Sequence, residues 1–289
     1  MSKYFLTVEK KEIKKLPITA VMVIHNEEAI IKRALQSCFN VADEIIVIHD
    51  GKCQDRSLDI ARKYTDKIFK LEHVGAAERH RPFAYEKAKN NWILQLDADE
   101  YLSDSLRENL QNLIEDDVDV YDISWSTFYK NKHFFWYYKR MLFKKNAVFF
   151  IGVTHECVKP VNEKIRIKKI EYVLMHEPVY NNTTMAVFKK KWKKLAKIQA
   201  KQLLEDFSDI PKWNCRMTDW ERHRKIRIRH PIVMGILATT FYNAFFSIKN
   251  FLVYRKIILL KMGFLSLLYH ANLYYYLFIF KKRKKSKIG

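Results

Sequence analysis

Apolar residues in the first hundred positions come as short unbroken runs rather than in alternation. Ile18–Ile24 (ITAVMVI), Glu44–Ile48 (EIIVI), Lys67–Leu71 and Trp92–Leu96 (WILQL) are β-branched or aliphatic throughout most of their length. Runs of that kind predict strands buried on both faces. Between them lie segments with helical spacing: Ala29 to Phe39, with Ile30, Ala34 and Leu35 on one face, then Ser57 to Tyr64 and Arg81 to Asn91. Strand alternating with helix predicts an α/β fold built on a mostly parallel sheet with crossover helices. Ligands of such sheets bind beyond the carboxyl ends of the strands. Three of these ends carry polar or acidic clusters: His25-Asn26-Glu27-Glu28, His49-Asp50-Gly51 and Asp97-Ala98-Asp99-Glu100. The pattern predicts that they converge on one edge.

Downstream, Asp104 to Ile114 reads as a helix and Val120 to Lys132 as a strand. Further apolar and aromatic strands follow to about Val179, a region suited to an acceptor, and Ala186 to Leu204 reads as a basic helix. The aromatic run Phe134-Phe135-Trp136-Tyr137-Tyr138 suits either sugar stacking and lipid contact or an ordinary core strand. The last stretch changes character. Ile232–Ile248 has no charge, and Met262–Phe280 has none beyond His270. A spanning helix needs about 20 apolar residues. Asn243, His270, Asn272 and the basic flanks favour helices lying in a membrane interface, with burial against the catalytic domain as the competing reading. The expected division is a catalytic domain over 1–205 and a basic, apolar helical region over 206–289.

Charge sharpens this picture. Lys and Arg number 53 against 32 acidic residues, a formal net charge of +21. That surplus attracts polyanions: nucleic acid, anionic lipid or phosphorylated substrates. It concentrates late, in Lys189–Lys194, Arg222–Arg229 and Lys281–Lys287, outside the run of strand-end clusters. Near an anionic leaflet each such residue contributes about 1 kcal/mol. Met1–Leu16 is charged and lacks an apolar core, so it does not read as a secretory signal, and the catalytic part is expected on the cytoplasmic side. The four cysteines, Cys38, Cys53, Cys157 and Cys215, are scattered and suggest neither zinc nor a disulfide framework.

Asp97-Ala98-Asp99 places two carboxylates directly after a buried strand. Such a pair suits Mg2+ or Mn2+, which prefer carboxylate and phosphate oxygens. A metal there would bridge a diphosphate and neutralise charge as a group departs. A helix N-terminus with Asp99 at the positive end of the dipole is the competing reading.

Taken together, the strand followed by HNEE, then IIVIHDGKCQD, then ERHRPFAYEKAKNNWILQLDADE resembles the inverting family 2 glycosyltransferases of the GT-A fold. It is most similar to the branch containing lipopolysaccharide-core glucosyltransferases, well over residues 18–110 and more thinly over 150–205. The resemblance implies a nucleotide-diphospho-sugar donor, a glycan or lipid-linked acceptor and a divalent metal. It implies that Glu27 and Asp50 hold the nucleotide with Asn26 beside them. The family's D-S-G-S-T-D becomes Asp50-Gly51-Lys52-Cys53-Gln54-Asp55, which keeps both aspartates but leaves the role of Asp55 open. The family's arginine matches Arg81, with Pro82 in place of the usual asparagine and Arg79 as competitor. Asp97 and Asp99 are the implied metal and donor ligands, and His176 a candidate to complete the metal shell, although a histidine after an apolar strand is also an ordinary structural residue. Inversion requires a base on the acceptor hydroxyl. The branch's Gly-x-x-His-Glu matches Gly152-Val153-Thr154-His155-Glu156, implying Glu156 as base and His155 as its neighbour orienting acceptor or phosphates. His176-Glu177 is a second candidate pair.

The signatures of two other classes are missing. A nucleic-acid-binding protein would interleave basic and aromatic residues on an RRM or OB scaffold, and no such signature is present. A nucleotidyltransferase would show a glycine-rich phosphate loop after the first strand, and HNEEA is not one. A specific nucleic-acid partner is therefore not expected.

Overall fold

The computed structural model describes residues 15–130, 132–228 and 232–285. Most of the charged N-terminus, Arg229, the end of the Lys281–Lys287 run, and the side chains of Phe134, Phe135, Trp136 and Asn243 lie outside what is described.

The chain runs β1 (Leu16–Ile24), α1 (Ile31–Phe39), β2 (Ala42–Asp50), α2 (Ser57–Ala61), β3 (Ile68–Leu71), α3 (Arg81–Lys87) and β4 (Trp92–Leu96). It continues through β5 (Glu100–Leu102), α4 (Asp104–Glu115), β6 (Val120–Tyr129), β7 (Lys132–Lys144), β8 (Val148–Ile151), β9 (Lys159–Pro160) and β10 (Ile167–His176). Next, α5 (Met185–Val187) passes through a π-helical turn, Phe188–Trp192, into α6 (Lys193–Gln202). The chain ends with β11 (Lys212–Trp213), α7 (Met217–Ile228), α8 (Ile232–Tyr254) and α9 (Ile258–Lys285).

One eight-stranded sheet has the order β3-β2-β1-β4-β7-β6-β10-β5, and a small one the order β11-β8-β9. The first four strands of the large sheet are parallel. β7 is antiparallel to both its neighbours, β6 and β10 are parallel, and β5 is an antiparallel edge. The unbroken apolar runs follow from burial on both faces. Ile18, Ala20, Met22 and Ile24 point into one cluster, with Val21 and Val23 on the opposite face in another, as strand alternation requires. Helix α1 presents Ile31, Ala34, Leu35 and Cys38 to the first cluster, the i, i+3, i+4, i+7 stripe of a surface helix. Tyr85 and Ala84 of α3 fill the second.

Two helices end earlier than their spacing predicts. α3 stops at Lys87 because Ala88 is extended, turning the chain toward β4 while Asn90 bonds Thr19 and Asp43. α2 stops at Ala61, and the turn beyond it is held by the Thr65 hydroxyl donating to the Ile45 carbonyl at 2.6 Å. The expected strand 120–132 is β6, turning directly into β7, which carries the aromatic run. All four cysteines are free.

A third cluster crosses the expected division at position 205. Ile151, Val153, Phe188, Ala196, Ala200 and Leu203 pack against Tyr269, Leu273, Tyr274 and Leu277 of α9. α9 therefore packs one face on the catalytic region, while Phe264, Tyr275 and Phe278 stay exposed on another. α8 lies on α9 so closely that a Cβ at Gly235 would stand 2.5 Å from the Tyr274 ring. Its other side leaves Leu237, Phe241, Tyr242, Phe245, Ile248 and Leu252 exposed. Among the described residues no helix is long and apolar enough to cross a membrane.

Candidate active site

The three polar clusters meet at the carboxyl edge of the parallel strands. Asn26, with φ +55°, turns the chain out of β1, and its Oδ1 accepts the Gln54 N–H at 2.8 Å. Asp55 binds the loops together from beneath. It accepts from the Ser57 hydroxyl and N–H at 2.6 and 2.9 Å and from the Glu28 N–H at 3.0 Å. Ser57 in turn accepts the Glu27 N–H at 2.6 Å. Burial works against the Asp55 charge, yet these bonds hold its carboxyl down at about 2. Asp55 thus braces the loop.

Asp50 ends β2 almost fully buried. Its oxygens accept the Val74 and Gly75 N–H groups at 2.7 and 3.0 Å and face His80 Nε2 at 2.8 Å and His73 Nδ1 at 3.0 Å. Burial alone would raise its carboxyl; the His80 bond and the two amides bring it down to about 2.

Asp97 follows β4 and is clamped. Arg81 Nη2 meets Oδ1 and Lys139 Nζ meets Oδ2, each at 2.8 Å. Against the cost of burial, Lys139 and then Arg81 hold its carboxyl well below the usual range. Lys139 also bonds the buried Glu100, which accepts the Trp125 indole N–H at 2.7 Å. Arg79 instead bonds Glu205 at 2.6 Å, so of the two arginines Arg81 is the one at the strand-end carboxylates.

Asp99 turns the other way. Its Oδ2 lies 3.2 Å from His176 Nε2, while His176 Nδ1 meets the Thr127 hydroxyl at 2.9 Å and the ring stacks on Trp125 at 4.3 Å. Glu27 stands near Asp99, Asp55 and Asp97, and burial followed by those negative charges raises its carboxyl to about 7 even with Lys191 opposing. Among the proposed metal ligands, Asp99 and His176 are therefore brought together, and Asp97 is occupied by two cations.

His176 and Trp125 form one wall of a cavity of about 500 Å³. Thr127, Tyr137, His155, Trp192 and Tyr269 also line it. His155, with φ +65°, packs its ring on Tyr269 at 4.9 Å and Trp192 at 5.5 Å, and its N–H is held by Glu78 at 2.9 Å. Glu156 does not line this cavity. It is buried, 3.0 Å from Lys159 Nζ and 3.4 Å from His223 Nε2. Glu177 pairs with Arg33. The left-handed turn at His155 separates the two side chains: the histidine faces the cavity and the carboxylate faces the small sheet and α7.

Lys139, Trp125 and the α9 wall of the cavity escaped the sequence reading. Lys139 sits alone on an aromatic strand, with no local pattern to mark it. His25 and His49 were visible as neighbours of strand ends; that His73 and His80 share the Asp50 carboxylate is shown only by folding.

The family model for glycosyl transferase family 2 matches residues 19–195. A protein named as an uncharacterized glycosyltransferase of Rickettsia bellii is 37% identical over 94 residues, 32% of this chain and 31% of that protein. The lipopolysaccharide core biosynthesis glycosyltransferase LpsC of Rhizobium meliloti is 31% identical over 106 residues, 35% of this chain and 38% of its own. The matched stretches thus span about a third of these relatives. Among solved structures, S. aureus TarS 1-349 has a TM-score of 0.43 at 12% identity, with 92% of each chain covered.

Proposed function

The chain belongs to glycosyl transferase family 2, and on that premise we propose that it moves a sugar from a nucleotide-diphospho-sugar to a glycan or lipid-linked acceptor, in cell-surface polysaccharide or lipopolysaccharide synthesis. The observation that carries this reading is the Asp99–His176 contact, which joins the strand-end carboxylates to an aromatic cavity large enough for a sugar acceptor. Aromatic faces suit the apolar faces of sugar rings. On this reading the donor lies along Asn26, Glu27, Asp50 and Asp97, with Arg81 holding Asp97 in place, and the acceptor enters beside Trp125 and His155. LpsC, by its name, acts in lipopolysaccharide core synthesis, which supports that acceptor class.

The residues fit a divalent metal at Asp99. Burial, and after it the negative charges of Asp99, Asp55 and Asp97, raise Glu27 to about 7, and a dication would offset the charge part of that. Asp99 with His176, and Asp97 behind them, would hold Mg2+ or Mn2+. When bound, the ion supplies charge neutralisation at the departing diphosphate. The chain's own groups do the rest. In an inverting displacement the acceptor oxygen bonds the anomeric carbon as the bond to the diphosphate breaks, and the hydroxyl proton passes to a base. His155 is the member of the His155–Glu156 pair that faces the cavity, so it is placed to take that proton, and Glu156 positions the loop through Lys159.

We place the enzyme peripherally at the cytoplasmic face of the membrane. The exposed Phe241, Phe245 and Leu252 face of α8, together with the basic surplus, suits an anionic interface. Sedimentation with phosphatidylglycerol vesicles, compared with neutral ones, tests this; loss of binding in Phe241→Ser/Phe245→Ser is expected. The activity itself is tested by screening UDP-, GDP- and dTDP-sugars with manganese for donor hydrolysis and binding. Failure of every donor to bind or be hydrolysed would overturn the assignment.

A further inference from the structure

The carboxyl ends of the first three strands hold histidines that the transfer reaction does not use. His25 follows β1, His49 lies in β2, His73 follows β3 and His80 precedes α3. Two of them, His73 and His80, face the Asp50 carboxylate, and the rings of His49 and His73 lie 5.8 and 4.7 Å from that of His25. One ring nitrogen each of His25 and His73 and an oxygen of Asp50 lie within 4.8 Å of one another. We propose that His25, Asp50 and His73 form a binding site for a transition-metal dication of the zinc type, distinct from the Asp97–Asp99 carboxylates.

Local construction supports a built site rather than a chance ion pair. The His73 side chain is 51% exposed, and an ion pair that open to water contributes little by itself. Yet the backbone is shaped around it. Gly51 and Gly75 adopt φ +83° and +68°, and a Cβ at Gly51 would stand 2.7 Å from the Cβ of His73. Only a glycine there lets the imidazole close on Asp50. The carboxylate is itself held by the Val74 and Gly75 amides and by the buried His80. Nδ1 of His25 is 2.6 Å from the Asp50 main-chain oxygen, and Nδ1 of the buried His49 is 2.9 Å from that of Gly51. Ligands fixed by such outer bonds are the usual setting of protein metal sites.

The donor set chooses the metal. Two imidazoles and one carboxylate, with His25 and His73 at the surface, leave room for water or another ligand, the arrangement zinc adopts with three protein ligands. Imidazole suits zinc, nickel and iron, whereas all-oxygen ligands suit magnesium and manganese. The site at Asp50 offers two imidazoles to one carboxylate and that at Asp99 one imidazole among carboxylates, so the first favours zinc more strongly. A consequence follows that rests on the reading of Asp50 as a nucleotide ligand: zinc held there would compete with the donor for its carboxylate, making the site an inhibitory one.

The full-length protein, stripped of metal, is titrated with Zn2+ and separately with Mg2+ against a chromophoric chelator. One zinc per chain is expected, with affinity about 100-fold weaker in His25→Ala and His73→Ala and unchanged in Asp99→Ala. Both histidines are exposed, and matching thermal melts will show that the variants fold. Equal zinc affinity in the wild type and in the double variant His25→Ala/His73→Ala would overturn the site. Calorimetry with UDP then tests the consequence: zinc should weaken UDP binding to the wild type and leave the double variant unaffected. Zinc bound at these residues with UDP indifferent to it upholds the site and removes Asp50 from the nucleotide contacts.

Discussion

Replacing Glu27 with Gln separates the electrostatics of the strand-end carboxylates from their chemistry. The Glu27 carboxyl binds its proton at about 7 in the folded chain against an ordinary 4.5, because burial and then Asp99, Asp55 and Asp97 disfavour another negative charge. A proton held more tightly folded than unfolded stabilises the fold at low pH. That contribution is complete below 4.5 and is lost as pH rises through 7. At 1.36 kcal/mol per pKa unit the bound is about 3 kcal/mol. Glu27 is only half-buried, and solvent screening reduces this to about 1–2 kcal/mol. For a chain of this size that corresponds to a melting shift of about 2–3 °C. Thermal melts in metal-free buffer from pH 5 to 8.5 should therefore show the wild type losing stability relative to Glu27→Gln, which keeps the shape without the charge. Asp50, Asp55 and Asp97 titrate in both proteins well below this window, so the difference between the curves isolates Glu27. Manganese added at pH 8 should stabilise both proteins, since both keep Asp99 and His176, and the wild type by more, because the ion also offsets the Glu27 charge. Parallel curves for the two proteins would refute the charge-crowding account.

Asp99→Ala and EDTA should each abolish transfer while leaving the melting temperature within a few degrees; full activity in Asp99→Ala would remove the metal from that carboxylate. Arg81→Ala should cost about 3 kcal/mol, since it strips a partner from a buried, ionised Asp97, whereas Arg79→Ala should cost far less; chemical denaturation compares them. His155→Ala should cut turnover about 100-fold with donor binding intact. Glu156→Gln should lower stability more than turnover, and a 100-fold turnover loss in it, with the fold retained, would return the base role to the carboxylate.

The parallel half of the sheet was legible because its signal is local. Four unbroken apolar runs spaced by helical stripes leave few ways to bury both faces of each strand, and the polar residues that end them must share an edge. The partners of those residues were not legible. Lys139 reaches Asp97 and Glu100 from β7, about forty positions away, and strand register decides that contact. The Gly-x-x-His-Glu segment predicted a catalytic pair, but adjacent residues in a left-handed turn diverge. The positive φ at His155 sends it to the cavity and leaves Glu156 with Lys159 and His223. In the tail, hydropathy alone did not distinguish α8 from α9. Both are apolar, and only packing shows that α9 buries Tyr269, Leu273, Tyr274 and Leu277 against the α6 side while α8 presents most of its apolar residues outward.

That division of the tail bears on how the enzyme distinguishes acceptors. The family match ends at residue 195, and every residue placed on the donor side, including Lys139 and His176, lies within it. The cavity is different. Its far wall is Met262, Leu265, Tyr269 and His270 of α9, beyond the matched region, and Tyr269 both packs on His155 and donates its hydroxyl to Gln199 at 2.9 Å. A substitution such as Tyr269→Ala should therefore act selectively: it removes the surface against which His155 and an acceptor ring are held, while Asp50, Asp97 and Asp99 keep every contact described for them. The expected result is a raised acceptor KM and slower transfer with donor affinity unchanged. An equal loss of donor binding would show that α9 supports the sheet edge as a whole and not the acceptor side alone.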